Sequence, residues 1–111
     1  MAQNFQRTLK RNITLSGSPT ELRAATTTND AIIGVRCTNT SGVSVDITVY
    51  VKNTSTNYFI IKAAPIPTGG SLELIDGGSK VVLQTGDSVE AYASAATSVD
   101  IILSVVDSIS T

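Results

Sequence analysis

The sequence predicts an all-β protein folded as an antiparallel two-sheet sandwich of seven or eight strands. Apolar residues alternate with polar ones almost everywhere after residue 30, and no segment of helical length carries apolar residues at a 3.6-residue spacing. Turn residues recur at intervals of about 8 to 12 residues, which is typical of sandwiches. These patterns do not distinguish an immunoglobulin-like connection from a jelly roll.

The clearest predicted strand covers residues 45–51. Its odd-numbered residues are valine or isoleucine, and the residues between them are Asp46, Thr48 and Tyr50. This alternation predicts that Ile47 lies in the core and that Thr48 and Tyr50 face solvent. Apolar or β-branched runs at 31–38 and 58–63 flank this strand, and each is separated from it by a cluster of turn residues. We expect the three strands to form an antiparallel meander.

The second half of the chain predicts further strands. Two prolines and two glycines within residues 65–70 indicate a crossing between sheets. Short strands are expected around Leu72 and Leu74, and around Val81 and Leu83 after a tight turn at Asp-Gly-Gly 76–78. A turn at 85–87 then leads to a further strand with alternating apolar residues at 89, 91 and 93. The last strand, 99–106, has one fully apolar face, and its other face includes Ile102 and Val106. That second face is either covered within the fold or meets another subunit.

The predicted domain organisation is an N-terminal arm, residues 1–12, followed by one sandwich domain, residues 13–111. The arm contains Phe5, Arg7, Lys10 and Arg11, with no acidic residue before Glu21. It is either a frayed terminus or a segment that orders on a neighbouring subunit, with Phe5 as its apolar anchor. Residues 1–62 include seven basic and three acidic residues, whereas residues 63–111 include one basic and six acidic residues. This distribution would suit head-to-tail packing of identical subunits.

The composition argues against several functional classes. Without histidine, the commonest general base and the usual catalytic triads are absent. Cys37 stands alone in an apolar run and is expected to be buried. A net charge of −1 disfavours nucleic acid, and no apolar run approaches membrane-spanning length. We therefore expect a non-enzymatic protein without a cofactor, metal site, small-molecule substrate or membrane partner.

Candidate interface residues follow from the arm and the last strand. They are Phe5, Arg7, Lys10, Arg11, Ile102 and Val106. Only 15% of the residues are charged, and a weakly charged surface favours association.

Four segments resemble small β-sandwich virion proteins of tailed bacteriophages, especially phages of marine cyanobacteria. They are IGVRCTNTS at 33–41, APIPTGGSL at 64–72, VLQTGDSV at 82–89 and ASAATSVDI at 93–101, the last leading to SVV at 104–106. The resemblance extends from residue 30 onward, over about 70% of the chain, and rests on the order and spacing of these segments. The basic start, residues 6–11, is not part of it.

The resemblance implies a many-copy structural component of a virion, made in the host cytoplasm. A capsid decoration or cement protein that binds itself and the major capsid protein is the first expectation. A neck, tail or fibre-adaptor position is the second. A glycan-binding sandwich module is an alternative from another class, based on Tyr50 as an exposed tyrosine.

Overall fold

In the computed structural model, residues 4–11, 13, 15, 17–25, 29–75, 81–95 and 98–107 are described. They form nine strands and include no helix long and apolar enough to cross a membrane. The strands are β1 (Asn4–Lys10), β2 (Thr20–Ala24), β3 (Asp30–Asn39), β4 (Val45–Asn53), β5 (Thr56–Ile66), β6 (Ser71–Ile75), β7 (Val81–Leu83), β8 (Asp87–Ala93) and β9 (Val99–Asp107).

The strands form two antiparallel sheets, which confirms the predicted sandwich. Sheet A has the order β1-β9-β3-β6, with β7 also paired to β3, and sheet B has the order β2-β8-β4-β5. The first strand thus pairs with the last and the second with the one before the last, while β4 pairs with β5. This nested pairing is the connection of a jelly roll.

Strands β6 and β7 correspond to the two short strands predicted around Leu72–Leu74 and after the 76–78 turn, whereas β1, which forms from the segment predicted as an arm, is the strand that the sequence did not predict. Strands β6 and β7 both pair antiparallel with β3, β6 along residues 35–38 and β7 along residues 30–32. They therefore run in the same direction and together occupy one edge of sheet A. The Asp-Gly-Gly turn predicted at 76–78 lies outside the described residues, but a hairpin between β6 and β7 is excluded by their shared direction.

The predicted meander of three strands is wrong, because β3 lies in sheet A and β4 in sheet B. The connection between them is fixed by the buried side chain of Asn39. Its Nδ2 donates hydrogen bonds to the carbonyl oxygens of Val43, at 2.7 Å, and Ile66, at 2.9 Å. The predicted crossing at 65–70 is confirmed, since β5 ends at Ile66 in sheet B and β6 begins at Ser71 in sheet A.

The core lies between the sheets and is almost entirely aliphatic. Every strand except β1 contributes inward-facing residues to it, largely with the period of two that the sequence pattern predicts. In β9 the four inward residues Val99, Ile101, Leu103 and Val105 are all buried. Each such side chain stabilises the fold by about 1.5 to 3 kcal/mol relative to exposure. The other fully buried large side chains are Ile13, Ile32, Val35, Val45, Ile47, Val49, Ile66, Leu83 and Val89.

Two residues of β4 that were predicted to face solvent, Thr48 and Tyr50, are buried, whereas Asp46 is exposed as predicted. Thr48 is 3% exposed and Tyr50 2% exposed. Thr48 Oγ1 accepts a hydrogen bond of 2.9 Å from the backbone N–H of Ala63, which has a φ of 53° at an irregularity in the β4–β5 pairing. The side chain of Thr48 therefore satisfies a backbone donor that the β-bulge removes from the ladder.

Tyr50 is buried by aromatic neighbours on the same face. Its ring centroid lies 5.6 Å from that of Phe59 and 6.2 Å from that of Tyr92, and its hydroxyl donates to Glu90 Oε1 at 2.7 Å. Burial, together with the hydrogen bond to Glu90, raises the pKa of the Tyr50 phenol. The sequence pattern of β4 alone could not show this, because all three partners of Tyr50 come from β5 and β8.

Arg23 of β2 connects the two sheets at the β1 edge. Its Nε lies 2.9 Å from Asp30 Oδ2 in β3, and its Nη2 lies 3.5 Å from Asp107 Oδ2 in β9. Gln6 of β1 joins the same group, donating to Asp107 at 2.6 Å and accepting from Arg23 at 3.2 Å. Because Asp30 is only 2% exposed, its carboxylate depends on this guanidinium for its charge compensation.

We predict different costs for two adjacent positions of β4. Ile47→Ala should reduce the free energy of unfolding by about 2 to 5 kcal/mol, because it leaves a cavity between the sheets. Thr48→Val should cost about 1 to 3 kcal/mol, because the Ala63 N–H loses its acceptor. Thr48→Ser keeps the hydroxyl and is the matched control. Urea unfolding that finds Thr48→Val as stable as Thr48→Ser would contradict the role of this hydrogen bond.

A second prediction concerns the connection made by Arg23. Arg23→Met should destabilise the protein by about 3 to 5 kcal/mol, because Asp30 is left buried and unpaired. Arg36→Met is the control, since Arg36 and Glu73 form an ion pair at 2.7 Å that is exposed on both sides. Loss of an exposed pair should cost at most about 1 kcal/mol. Equal midpoints for the two variants in urea would refute the difference that we assign to burial.

Candidate assembly surface

The candidate site is the outer face of sheet A, whose side chains point away from the core. In the β1–β9–β3 pairing, residues opposite one another lie on the same face. One line across the sheet, the Phe5 row, contains Phe5, Val106, Ala31 and Val82. A parallel line, the Leu9 row, contains Leu9, Ile102, Arg36 and Glu73. The face therefore carries one apolar row and one row that is apolar at its β1 end and charged at its β6 end.

Four apolar members of these rows are exposed, whereas Val106 is half-buried and Ala31 is buried. Phe5 is 79% exposed, Leu9 57%, Val82 53% and Ile102 46%. Between the two rows the register places Arg7, Ser104 and Gly34 in line. Because Ser104 and Gly34 are small, shallow depressions of about 300 and 350 Å³ lie beside them. The face thus offers both apolar area and relief to a complementary surface.

The structure brings together four of the six residues that the sequence nominated as an interface. Phe5 faces Val106 across the β1–β9 pair, and Arg7 and Ile102 lie on the same face. Lys10 is opposite Ile101 and so belongs to the other side of β1, while Arg11 follows the end of the strand. Their role as an interface remains a prediction.

Leu9 and Val82 also belong to this face, although they were not among the interface residues predicted from the sequence. The available signal for Leu9 was its position four residues after Phe5, which places both on one face of a strand. Val82 offered no comparable signal. Its place next to Ala31 depends on the pairing of β7 with β3, which is set by contacts distant in sequence.

The segment predicted as an arm contributes an edge strand. Residues 4–10 pair with β9 over seven consecutive positions without a register shift. The side chains from Phe5 to Lys10 are exposed apart from Thr8, which is half-buried. Strand β1 is therefore held by backbone pairing and by Gln6, and it contributes little to the core. The domain boundary at residue 12 remains a prediction.

The described residues do not bring together three or more potential metal ligands among histidine, cysteine, aspartate and glutamate. Cys37 is fully buried on the inner face of β3. Burial, with the nearby charge of Glu73, raises the pKa of its thiol from 9.0 to about 12. A neutral and inaccessible thiol is a poor nucleophile.

Comparison with known proteins identifies a fold but no family. Neither a protein-family model nor a curated protein sequence matches the chain. Among solved structures, one from work on Bacillus endospore appendages, described as a novel family of disulfide-linked pili, superimposes with a TM-score of 0.54. The match covers 98% of this chain and 88% of the other, at 13% sequence identity. The protein is thus similar in fold to a protein of bacterial pili.

Proposed function

We propose that this protein is a non-enzymatic structural subunit that forms part of a many-copy assembly through the outer face of sheet A. The observation that carries the proposal is the exposure of Phe5, Leu9, Val82 and Ile102 on one face of one sheet. Single exposed apolar residues are normal on a protein surface, but a contiguous group of them marks an interaction site.

Further apolar residues make this group continuous. Ile33 and Val106 are half-buried, and Ile33 and Phe5 line the same depression. Arg7 and the Arg36–Glu73 pair supply charge within and beside the apolar rows. An apolar centre with polar groups around it is the usual composition of a protein–protein interface.

The fold comparison also supports a structural role. The similar structure belongs to proteins that form pili, which are assemblies of many copies. We extend self-association to this chain as part of the proposal, because it also has the exposed face that association requires.

The identity of the assembly is proposed from the sequence resemblance. We infer a bacteriophage virion, with the protein made in the host cytoplasm and then incorporated. A decoration or cement role against the major capsid protein is the first position, and the neck, tail or fibre adaptor is the second. The glycan-binding alternative is weaker, because Tyr50, on which it depended, is buried against Phe59 and Tyr92.

Association of this chain differs in one respect from that of the disulfide-linked pili. The sequence contains a single cysteine, and Cys37 is fully buried. A disulfide between copies would require the core to open at β3. We therefore propose an assembly held by non-covalent contacts.

Substitution of the outer face tests the proposed function. The double change Ile102→Asp and Val106→Asp should abolish self-association or incorporation into particles, because it places charge in the apolar rows. Val43→Asp is the matched control, since Val43 is 63% exposed in the connection between β3 and β4. Sedimentation velocity and particle composition would measure both. A wild-type protein that stays monomeric at high concentration, with the double variant incorporated normally, would refute the proposal.

The non-covalent character gives a separate prediction. In the folded protein, Cys37 should react with a thiol reagent at least about 100-fold more slowly at pH 9 than in denaturant, because its raised pKa and its burial both suppress attack. Assemblies should also survive reducing agent. Dissociation by a reductant would show that disulfides between copies are required.

The raised pKa of Cys37 also makes stability depend on pH. Because the thiol ionises more readily in the unfolded protein, the contribution of Cys37 to the free energy of unfolding should decrease as the pH rises from 9 towards 12.

A further inference from the structure

The four edges of the two sheets are not equally open to pairing. The β5 edge contains two register shifts, the positive φ of Ala63, and Pro65. Strand β2 has five residues and one register shift, and the edge formed by β6 and β7 is divided between strands of five and three residues. Bulges, prolines and short strands are the devices by which proteins protect edges.

Strand β1 lacks these structural devices. Its seven residues include neither proline nor glycine, and its register with β9 is unbroken. As an edge strand, β1 presents half of its backbone N–H and C=O groups to the side away from β9. Its regular geometry makes it the described edge best suited to accept another strand.

The charges of the edges select a partner for β1. Strand β1 carries Arg7 and Lys10 and no acidic residue. Strand β5 carries Lys62 and no acid, and β2 carries both Glu21 and Arg23. Strand β6, in contrast, carries Glu73 and no basic residue. By charge complementarity, the edge of a second copy that fits β1 best is β6.

The geometry of sheet A permits this pairing. Three antiparallel steps lead from β1 through β9 and β3 to β6, so β1 and β6 run in opposite directions. When the sheet is continued by a second copy in the same orientation, the β1 of that copy meets β6 antiparallel. Arg7 and Glu73 both lie on the outer face, as their pairing with Ser104 and Arg36 shows. Glu73 is 42% exposed and can accept a second guanidinium beside that of Arg36.

We propose that copies of this protein join by strand addition, with β1 of one copy pairing antiparallel with β6 of the next and Arg7 meeting Glu73. This inference rests on the proposed function and specifies the contact between copies. The interface is heterologous, because two different edges meet, and it can therefore extend into a ring or filament. Strand addition also continues the outer face of sheet A from copy to copy.

The opposite arrangement, β1 against β1 about a two-fold axis, is disfavoured by charge. It would place two strands together that carry Arg7 and Lys10 without any acid. Like charges on neighbouring strands are destabilising.

A charge-exchange experiment distinguishes the two arrangements. Arg7→Glu alone should place two acids in each contact, and Glu73→Lys alone should place two basic residues there. Each should raise the critical concentration for assembly about tenfold, the size expected when an exposed pair becomes repulsive. An equimolar mixture of the two variants should assemble at close to the wild-type concentration, because every contact then joins opposite charges. High salt should reduce all these differences.

The controls keep folding and assembly separate. Thermal melting of each variant should match the wild type, since Arg7 is exposed and the Arg36–Glu73 pair is exposed. If Glu73→Lys fails to fold, the two single variants Glu73→Gln and Arg7→Gln replace the charge-reversal variants. Each should raise the critical concentration for assembly, by a smaller factor than a charge reversal. Assembly that depends on Ile102 and Val106 but is unchanged in all the charge variants would overturn strand addition and leave the proposed function standing. Tighter association of Arg7→Glu alone would indicate the β1–β1 arrangement, and a monomeric wild type would overturn both proposals.

Discussion

The position of β9 between β1 and β3 is the constraint on which the rest of this structure depends. In a jelly roll the last strand must pair with the first. Here β9 pairs with the full length of β1 and with most of β3. All four inward residues of β9, from Val99 to Val105, are buried, so the strand cannot shift by one residue without turning its apolar side outward. This fixed register determines which residues of β1 and β3 share the outer face.

The outer face follows from that register but not from the needs of folding. The core is complete without Phe5, Leu9 and Ile102, which lie on the far side of sheet A. Strand β1 likewise adds little to the core, although it provides the most regular edge of the protein. An apolar face and an open edge on the same sheet are liabilities for a monomer. They are useful to a subunit, and this is why we assign the function to sheet A.

The sequence predicted the features that depend on local pattern. The alternation in β4 and β9 identified their inward residues, and the prolines and glycines of 65–70 marked the crossing between sheets. Separate patterns at the two ends of the chain predicted four of the interface residues, Phe5 and Arg7 at the start and Ile102 and Val106 near the end. The structure places them on one face because the first and last strands pair.

Features that depend on distant contacts could not be predicted in this way. The burial of Thr48 and Tyr50 requires a bulge in β5 and aromatic side chains from β5 and β8, none of which appears in the pattern of β4. The prediction of a meander was wrong for a similar reason, because the turn residues at 39–42 have the same sequence pattern whether the turn joins neighbouring strands or crosses between sheets. Hydrogen bonds from the buried side chain of Asn39 to two carbonyl groups fix the crossing, and one of these carbonyl groups, that of Ile66, is remote in sequence.

Hydrogen exchange of the backbone amides in dilute and assembled protein tests the central claim most directly, because it reports on the edges themselves. If copies join through sheet A, the amides of residues 4–10 and 71–75 should exchange more slowly in the assembly, while those of the bulged β5 edge keep their rates. Unchanged exchange in both β1 and β6, with new protection in β5 or β2 instead, would show that the subunits meet elsewhere and would contradict the assignment of sheet A.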